Sequence, residues 1–163
     1  MAQRFRGKHT QKVDGKGRVS IPVEFRRVLE ANDPDWVEGK PAEMVVVYGL
    51  SFRGYLECYT MEAIVEIEAK IEAMPLGSTE REVMQELISS ESLKASIDDT
   101  GRIVMPAWLR EKVNIDGEAH FVATGKTFQV WNQAAYEAKM AKTVQAYLAD
   151  KPENFNPLSL LEQ

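Results

Sequence analysis

The feature that most constrains this chain is a phrase written twice. Residues 14–22 read DGKGRVSIP and residues 98–106 read DDTGRIVMP. Across the wider segments 13–29 and 97–113 five positions are identical: Asp14/Asp98, Gly17/Gly101, Arg18/Arg102, Pro22/Pro106 and Arg26/Arg110. Apolar character also matches at Val13/Ile97, Val19/Ile103, Ile21/Met105, Phe25/Leu109 and Leu29/Val113. A weaker likeness links 48–63 to 124–138, so the chain is an internal duplication.

Both copies read alike. A strand enters a tight turn at Asp-x-x-Gly-Arg, and a second strand leaves it with apolar residues at period two. Pro22 and Pro106 end that strand and suit the first position of a short helix, where a missing N–H costs nothing. A hairpin follows, over 43–49 with 55–60 and over 119–125 with 127–132. Helices are expected at 61–74, with Ile64, Ile67 and Ile71 on one side, and at 133–149, with Tyr136, Met140 and Val144. Thr79-x-x-Glu82 reads as a capping box opening a helix over about 80–89. Residues 31–43 read as an irregular insertion.

One copy of about 40 residues is too small to bury a core alone. Two copies interleaving into one small barrel would solve this and set the two turns in symmetry-related positions. The expected class is therefore α+β and β-rich, two repeated halves forming one intertwined barrel with peripheral helices. The expected division is a first repeat over 4–75, a linker helix over 76–91, a second repeat over 92–149 and a flexible tail over 150–163.

Charge is unevenly spread. Residues 1–27 hold eight Lys or Arg against Asp14 and Glu24, a net +6, which leaves −11 for the rest of a chain whose total is −5. A basic head on an acidic body suits a protein that turns one face to a polyanion. Other chemistries find little support. Cys58 is the single cysteine, so no internal disulfide forms, which is compatible with a reducing cytoplasm. With His9 and His120 it makes no metal-binding spacing. GKGRVS lacks the third glycine of a dinucleotide loop, and ATGKT at 123–127 lacks the first glycine of a phosphate loop and reads as a hairpin turn. No nucleophile, base and orienting group can be assembled, so no enzyme activity and no cofactor are expected. No apolar run is long enough to span a membrane, and no secretory signal opens the chain.

The opening FRGKHTQKVDGKGRVSIPVEFR and the later SIDDTGRIVMPAWLREKV with FVATGKTFQVWNQAAYEA resemble the MraZ transcriptional regulators, over nearly all of residues 4–140. The resemblance implies the swapped-hairpin barrel of the SpoVT/AbrB-like superfamily, formed within one chain. It implies a homo-oligomeric ring, octameric or dodecameric, that binds double-stranded DNA at tandem promoter repeats of the division and cell wall gene cluster. It implies repression there, a cytoplasmic, nucleoid-associated location, and no small-molecule substrate. It also implies that the Asp-x-x-Gly-Arg turns supply the DNA-contacting surface. An AbrB-like interaction module such as an antitoxin is the alternative.

Residue chemistry assigns the roles. Gly17 and Gly101 let the turn reverse, and Asp14 and Asp98 hydrogen-bond its N–H groups. Arg18 and Arg102 project from its shoulder, where a planar guanidinium suits guanine or phosphate. A structural role stands beside this one, in which Asp14 and Asp98 pair with those arginines only to rigidify the turn. Lys16 at the tip, with Arg4, Arg6, Lys8 and Lys12 before it, suits phosphate contacts, or else discourages pairing at a strand edge. Arg26 and Arg110 are expected to hold the short helices to their neighbours. The first turn, with Lys16 and its basic surroundings, is expected to matter more to DNA than the second.

Overall fold

A computed structural model describes residues 3–163. The chain divides into two compact units, the first ending at Gln133 and the second running from Ala134 to Gln163.

In the first unit, β1 (Lys8–Lys12) leads through the turn to β2 (Arg18–Ser20) and α1 (Val23–Ala31). Next come β3 (Glu43–Val47), a 3-10 turn (Ser51–Arg53), β4 (Tyr55–Tyr59) and α2 (Met61–Glu72). A short helix α3 (Thr79–Met84) widens into a π-helical segment (Gln85–Ser90). The pattern then recurs: β5 (Ser92–Ser96), β6 (Arg102–Val104), α4 (Ala107–Lys112), β7 (Glu118–Ala123) and β8 (Thr127–Trp131).

Every pairing is antiparallel. Six strands form one sheet in the order β1-β7-β8-β4-β3-β5, and β2 pairs with β6 as a separate ribbon. Exchanging β1 with β5, β3 with β7 and β4 with β8 returns the same order from the other edge. The class is α+β with antiparallel sheets, as expected. The expected closed barrel is not detected among the described residues, because β1 and β5 remain sheet edges.

Why the segments pair this way follows from burial. Val19 and Ile21 from the first copy, and Ile103 and Met105 from the second, are 1–4% exposed and enter one core. Phe25 on α1 meets Phe5 and Phe128, at ring-centroid distances of 5.2 and 5.0 Å. Truncating a fully buried phenylalanine costs about 3–5 kcal/mol, so Phe25 ties α1 to the far hairpin. A second cluster joins Val47 and Tyr59 to Ile64 and Ile71 of α2 and Ile88, with Ile67 half-buried against it. The isoleucine face of α2 is thus core.

Three local expectations shift. Pro22 and Pro106 precede the helix rather than open it, and the Pro22 carbonyl accepts the Arg26 N–H at 3.0 Å. Ser78, not Thr79, caps α3: its extended backbone aims the hydroxyl at the Arg81 N–H, 3.2 Å away. The helix expected over 80–89 becomes α3 and the π segment, whose Leu87 carbonyl lies where a Cβ on Gly49 would stand.

The helix α5 begins at the unit boundary (Gln133–Met140) and passes through a second π segment (Ala141–Gln145) into α6 (Ala146–Ala149). Of its expected apolar face, Tyr136 is buried, Met140 half-buried and Val144 exposed. Within the second unit, Lys151 sits 4.4 Å from the Tyr147 ring, and Pro157–Glu162 form a 3-10 helix capped by Asn156.

Candidate nucleic-acid interface

The first turn is organised by one carboxylate. Asp14 Oδ1 accepts the Lys16 and Arg18 N–H groups at 3.0 and 2.9 Å, and Arg18 Nε–H donates to Asp14 Oδ2 at 2.6 Å. Gly17 supplies the left-handed conformation the reversal needs, φ 82°. The backbone closes with Gly17 N–H donating to the Asp14 carbonyl at 2.9 Å.

The second turn repeats this backbone. Asp98 Oδ1 accepts the Thr100 and Arg102 N–H groups, both at 2.9 Å, and Gly101 has φ 82°. Its arginine is held differently. The Thr100 hydroxyl donates to Asp98 Oδ1 at 2.8 Å and accepts from Arg102 Nε–H at 3.0 Å, leaving Arg102 Nε 3.9 Å from Asp98 Oδ2. Both carboxyls are held below the ordinary value of 3.8, chiefly by the backbone N–H of the arginine each one faces.

Each turn is buttressed by the other copy. Met105 N–H donates to the Gly17 carbonyl at 2.7 Å and Ile21 N–H to the Gly101 carbonyl at 2.9 Å. Arg110 donates its Nε–H to the Met105 carbonyl at 2.8 Å beside Gly17, while Arg26 lies against Gly101. The arginines expected to hold their helices to a neighbour therefore each lie beside the glycine of the other turn. The Nε of Arg26, unlike that of Arg110, is buried without an acceptor.

The ribbon brings the two arginines together. In β2–β6, Arg18 is opposite Val104, Val19 opposite Ile103, and Ser20 opposite Arg102. Alternate strand residues face opposite ways. Val19 and Ile103 are in the core, so Arg18, Ser20, Arg102 and Val104 share the outer face. The arginine side chains are 40% and 35% exposed. Lys16 is exposed at the first tip and Thr100 at the second.

The other cations lie elsewhere. Lys8 and Lys12 occupy exposed positions of β1, in register with Val122 and Glu118 of β7, in the large sheet rather than the ribbon. Arg4 and Arg6 are exposed just before β1, on either side of the buried Phe5. A Val13–Val19 bridge joins this strand to β2.

One neighbourhood escaped the sequence reading. A cleft of about 480 Å³ beside the second turn brings Glu30 and Glu38 to Asp98 and Asp99, with Arg26 and Lys40 also in its lining. The insertion at 31–43 thus brings both an acid, Glu38, and a base, Lys40, to the second turn. A sign was present in the acidic residues of ANDPDWVEGK, but not their destination. Among the described residues no group of His, Cys, Asp and Glu is placed to hold a metal ion, and no helix is long and apolar enough to cross a membrane.

The chain is thus an α+β protein that displays two arginines on the outer face of a two-stranded ribbon between two turns. Comparison with known proteins gives the family. The family described as "MraZ protein, putative antitoxin-like" matches residues 90–155. The chain is 51% identical over 162 residues to the Transcriptional regulator MraZ of Ruegeria pomeroyi, covering 99% of this chain and 97% of that protein. It is 42% identical over 170 residues to that of Cereibacter sphaeroides (100% and 98% covered) and 33% over 144 residues to that of Rhodospirillum rubrum (87% and 88%). The chain belongs to the MraZ family of transcriptional regulators, which is a non-enzymatic family.

Proposed function

We propose that this protein is a sequence-specific DNA-binding transcriptional regulator, a repressor of the division and cell wall gene cluster that binds tandem promoter repeats as a ring. The observation that carries the reading is the ribbon, which sets Arg18 and Arg102 on one outer face. Two antiparallel strands fit the major groove, and arginine is suited to guanine there. The regulators named among its relatives support the same role.

In this reading Arg18, aimed by Asp14, is the principal contact and Arg102 the lesser one. Gly17 and Gly101 shape the turns, and Asp98 positions Arg102. Lys16, Arg4, Arg6, Lys8 and Lys12 supply phosphate contacts, which fix register and carry the salt dependence. The chain is read as two swapped-hairpin halves, 4–75 and 92–149, intertwined about one core, with 76–91 linking them and 150–163 as a flexible tail. The reversible strand order supports that duplication. Copies assemble as an octameric or dodecameric ring in the cytoplasm, associated with the nucleoid. The ring sums weak contacts over repeated boxes, so avidity rather than one tight interface gives occupancy.

Gel-shift titration with the promoter DNA upstream of the chain's own gene tests this, using one box against several. Several boxes are expected to bind at least about tenfold tighter; equal affinity for one and for several sinks the multivalent reading. A second reading, an antitoxin-like interaction module, is favoured by the description of the matching family. It predicts a small protein co-purifying in stoichiometric amount, whereas a homogeneous homo-oligomer counts against it.

A further inference from the structure

The ribbon's near-symmetry breaks at one pair of positions. Exchanging the copies maps Arg18 onto Arg102 but Ser20 onto Val104. Both are exposed on the outer face, Val104 at 57%. Val104 belongs to neither core cluster, so packing does not account for an apolar side chain there. It stands directly across from Arg18, while Ser20 stands across from Arg102.

We propose that Val104 is a specificity-determining residue that reads the C5-methyl of a thymine next to the base contacted by Arg18. This rests on the DNA-binding reading above. Paired strands lie about 4.8 Å apart, so a ribbon entering a major groove about 12 Å wide presents cross-strand neighbours to adjacent base edges. Thymine alone offers an apolar group there, and a branched aliphatic side chain is its natural contact. Serine at the mirrored position accepts or donates a hydrogen bond and tolerates either partner.

The consequence is directional reading. A ribbon with identical halves would favour a palindrome, since protein symmetry is mirrored in the site. With Val104 on one strand and Ser20 on the other, the ribbon distinguishes the two orientations of a box.

Replacing thymine by deoxyuracil, one position at a time, in a duplex of tandem boxes removes single methyl groups and leaves base pairing intact. At one position in one box the wild-type protein is expected to lose about 3–10-fold in affinity, the worth of one buried methyl group or slightly more. Val104→Ser is expected to bind the unmodified duplex that much more weakly and to be indifferent to deoxyuracil. Ser20→Val, which leaves Val104 in place, is expected to acquire sensitivity at a second position. Wild-type binding that no deoxyuracil weakens overturns the inference while leaving DNA binding standing, as does Val104→Ser with unchanged sensitivity. No binding by the wild-type protein to the promoter duplex overturns both.

Discussion

The two turns share a backbone and differ in how they hold an arginine. In each, one carboxylate oxygen gathers two N–H groups and a glycine at φ 82° completes the reversal. At the first, nothing lies between Asp14 and Arg18, which meet at 2.6 Å. At the second, Thr100 sits between Asp98 and Arg102 and takes over the arginine's hydrogen bond. Turn geometry and arginine tether are therefore separable: aspartate and glycine set the first, and the tip residue sets the second. Where Lys16 leaves the carboxylate to the arginine and adds charge, Thr100 does neither. The bond to Asp14 that stiffens the first turn also fixes where the Arg18 guanidinium points.

The largest expected difference concerns the glycines. A Cβ on Gly17 would overlap the Met105 backbone carbonyl, which is fixed in the ribbon; on Gly101 it would meet the end of the Arg26 side chain, which can swing away. Left-handed backbone costs either alanine about 1–2 kcal/mol. Gly17→Ala is expected to lose at least about 1 kcal/mol more than Gly101→Ala, by analogy with overpacking elsewhere. Urea unfolding of the two variants measures this, and equal losses would break the distinction.

Next come the arginines. Arg18→Ala is expected to weaken promoter binding about 10–100-fold, the range for one good bidentate contact. Arg102→Ala should cost less, because acidic residues gather near the second turn. Titration by fluorescence anisotropy ranks them, and a larger loss at Arg102 reverses the ordering of the turns.

A smaller effect separates the turn carboxylates from Glu57. Asp14 and Asp98 are lowered on folding, so their stabilisation is present above 3.8 and is lost as pH falls through the depressed value. The stability advantage of wild type over Asp14→Asn should therefore shrink in acid. Glu57 has the opposite sign. Burial pushes its carboxyl above 4.5, although the Thr127 hydroxyl donates to Oε1 at 2.7 Å, and Oε2 is buried without a partner. Its folded form favours the proton, so Glu57→Gln should be more stable than wild type at neutral pH, with the gain vanishing below 4.5. Denaturation across pH 3–7 reads both slopes; parallel slopes for the two variants refute the assignment.

The smallest effect is at the tips. Lys16→Ala should reduce the salt slope of binding by about one, and Thr100→Lys should steepen it by up to the same amount. An unchanged slope in Lys16→Ala removes it from the phosphate contacts.

Much of the fold was legible because one phrase recurs in the sequence, at 14–22 and 98–106. Period-two apolar residues at Val19/Ile21 and Ile103/Met105, stopped by proline, mark β2 and β6 directly, and the isoleucine spacing marks α2. What sequence does not carry is partnership across distance. The β2–β6 pairing, and the reach of Arg26 and Arg110 to the other copy's glycine, depend on chain segments that no local period connects. The cap at Ser78 was missed by one residue because backbone dihedrals, not residue type, decide which hydroxyl reaches a free N–H. The exposed outer face of the ribbon was half legible: the arginines stand out by chemistry, but Val104 looks like any strand valine until Arg18 is found opposite it.

The register of β1 carries a consequence for synthesis. Thr10 Oγ1 meets His120 Nδ1 at 3.0 Å, a contact 110 residues long in sequence. At about 5–20 residues per second on the ribosome, the first strand waits roughly 5–20 s for its partner to be made. During that time its edge is unpaired and Phe5 lacks the far hairpin that holds Phe128. Charged side chains disfavour edge-to-edge pairing, and this segment carries Arg4, Arg6, Lys8 and Lys12 along the strand that waits.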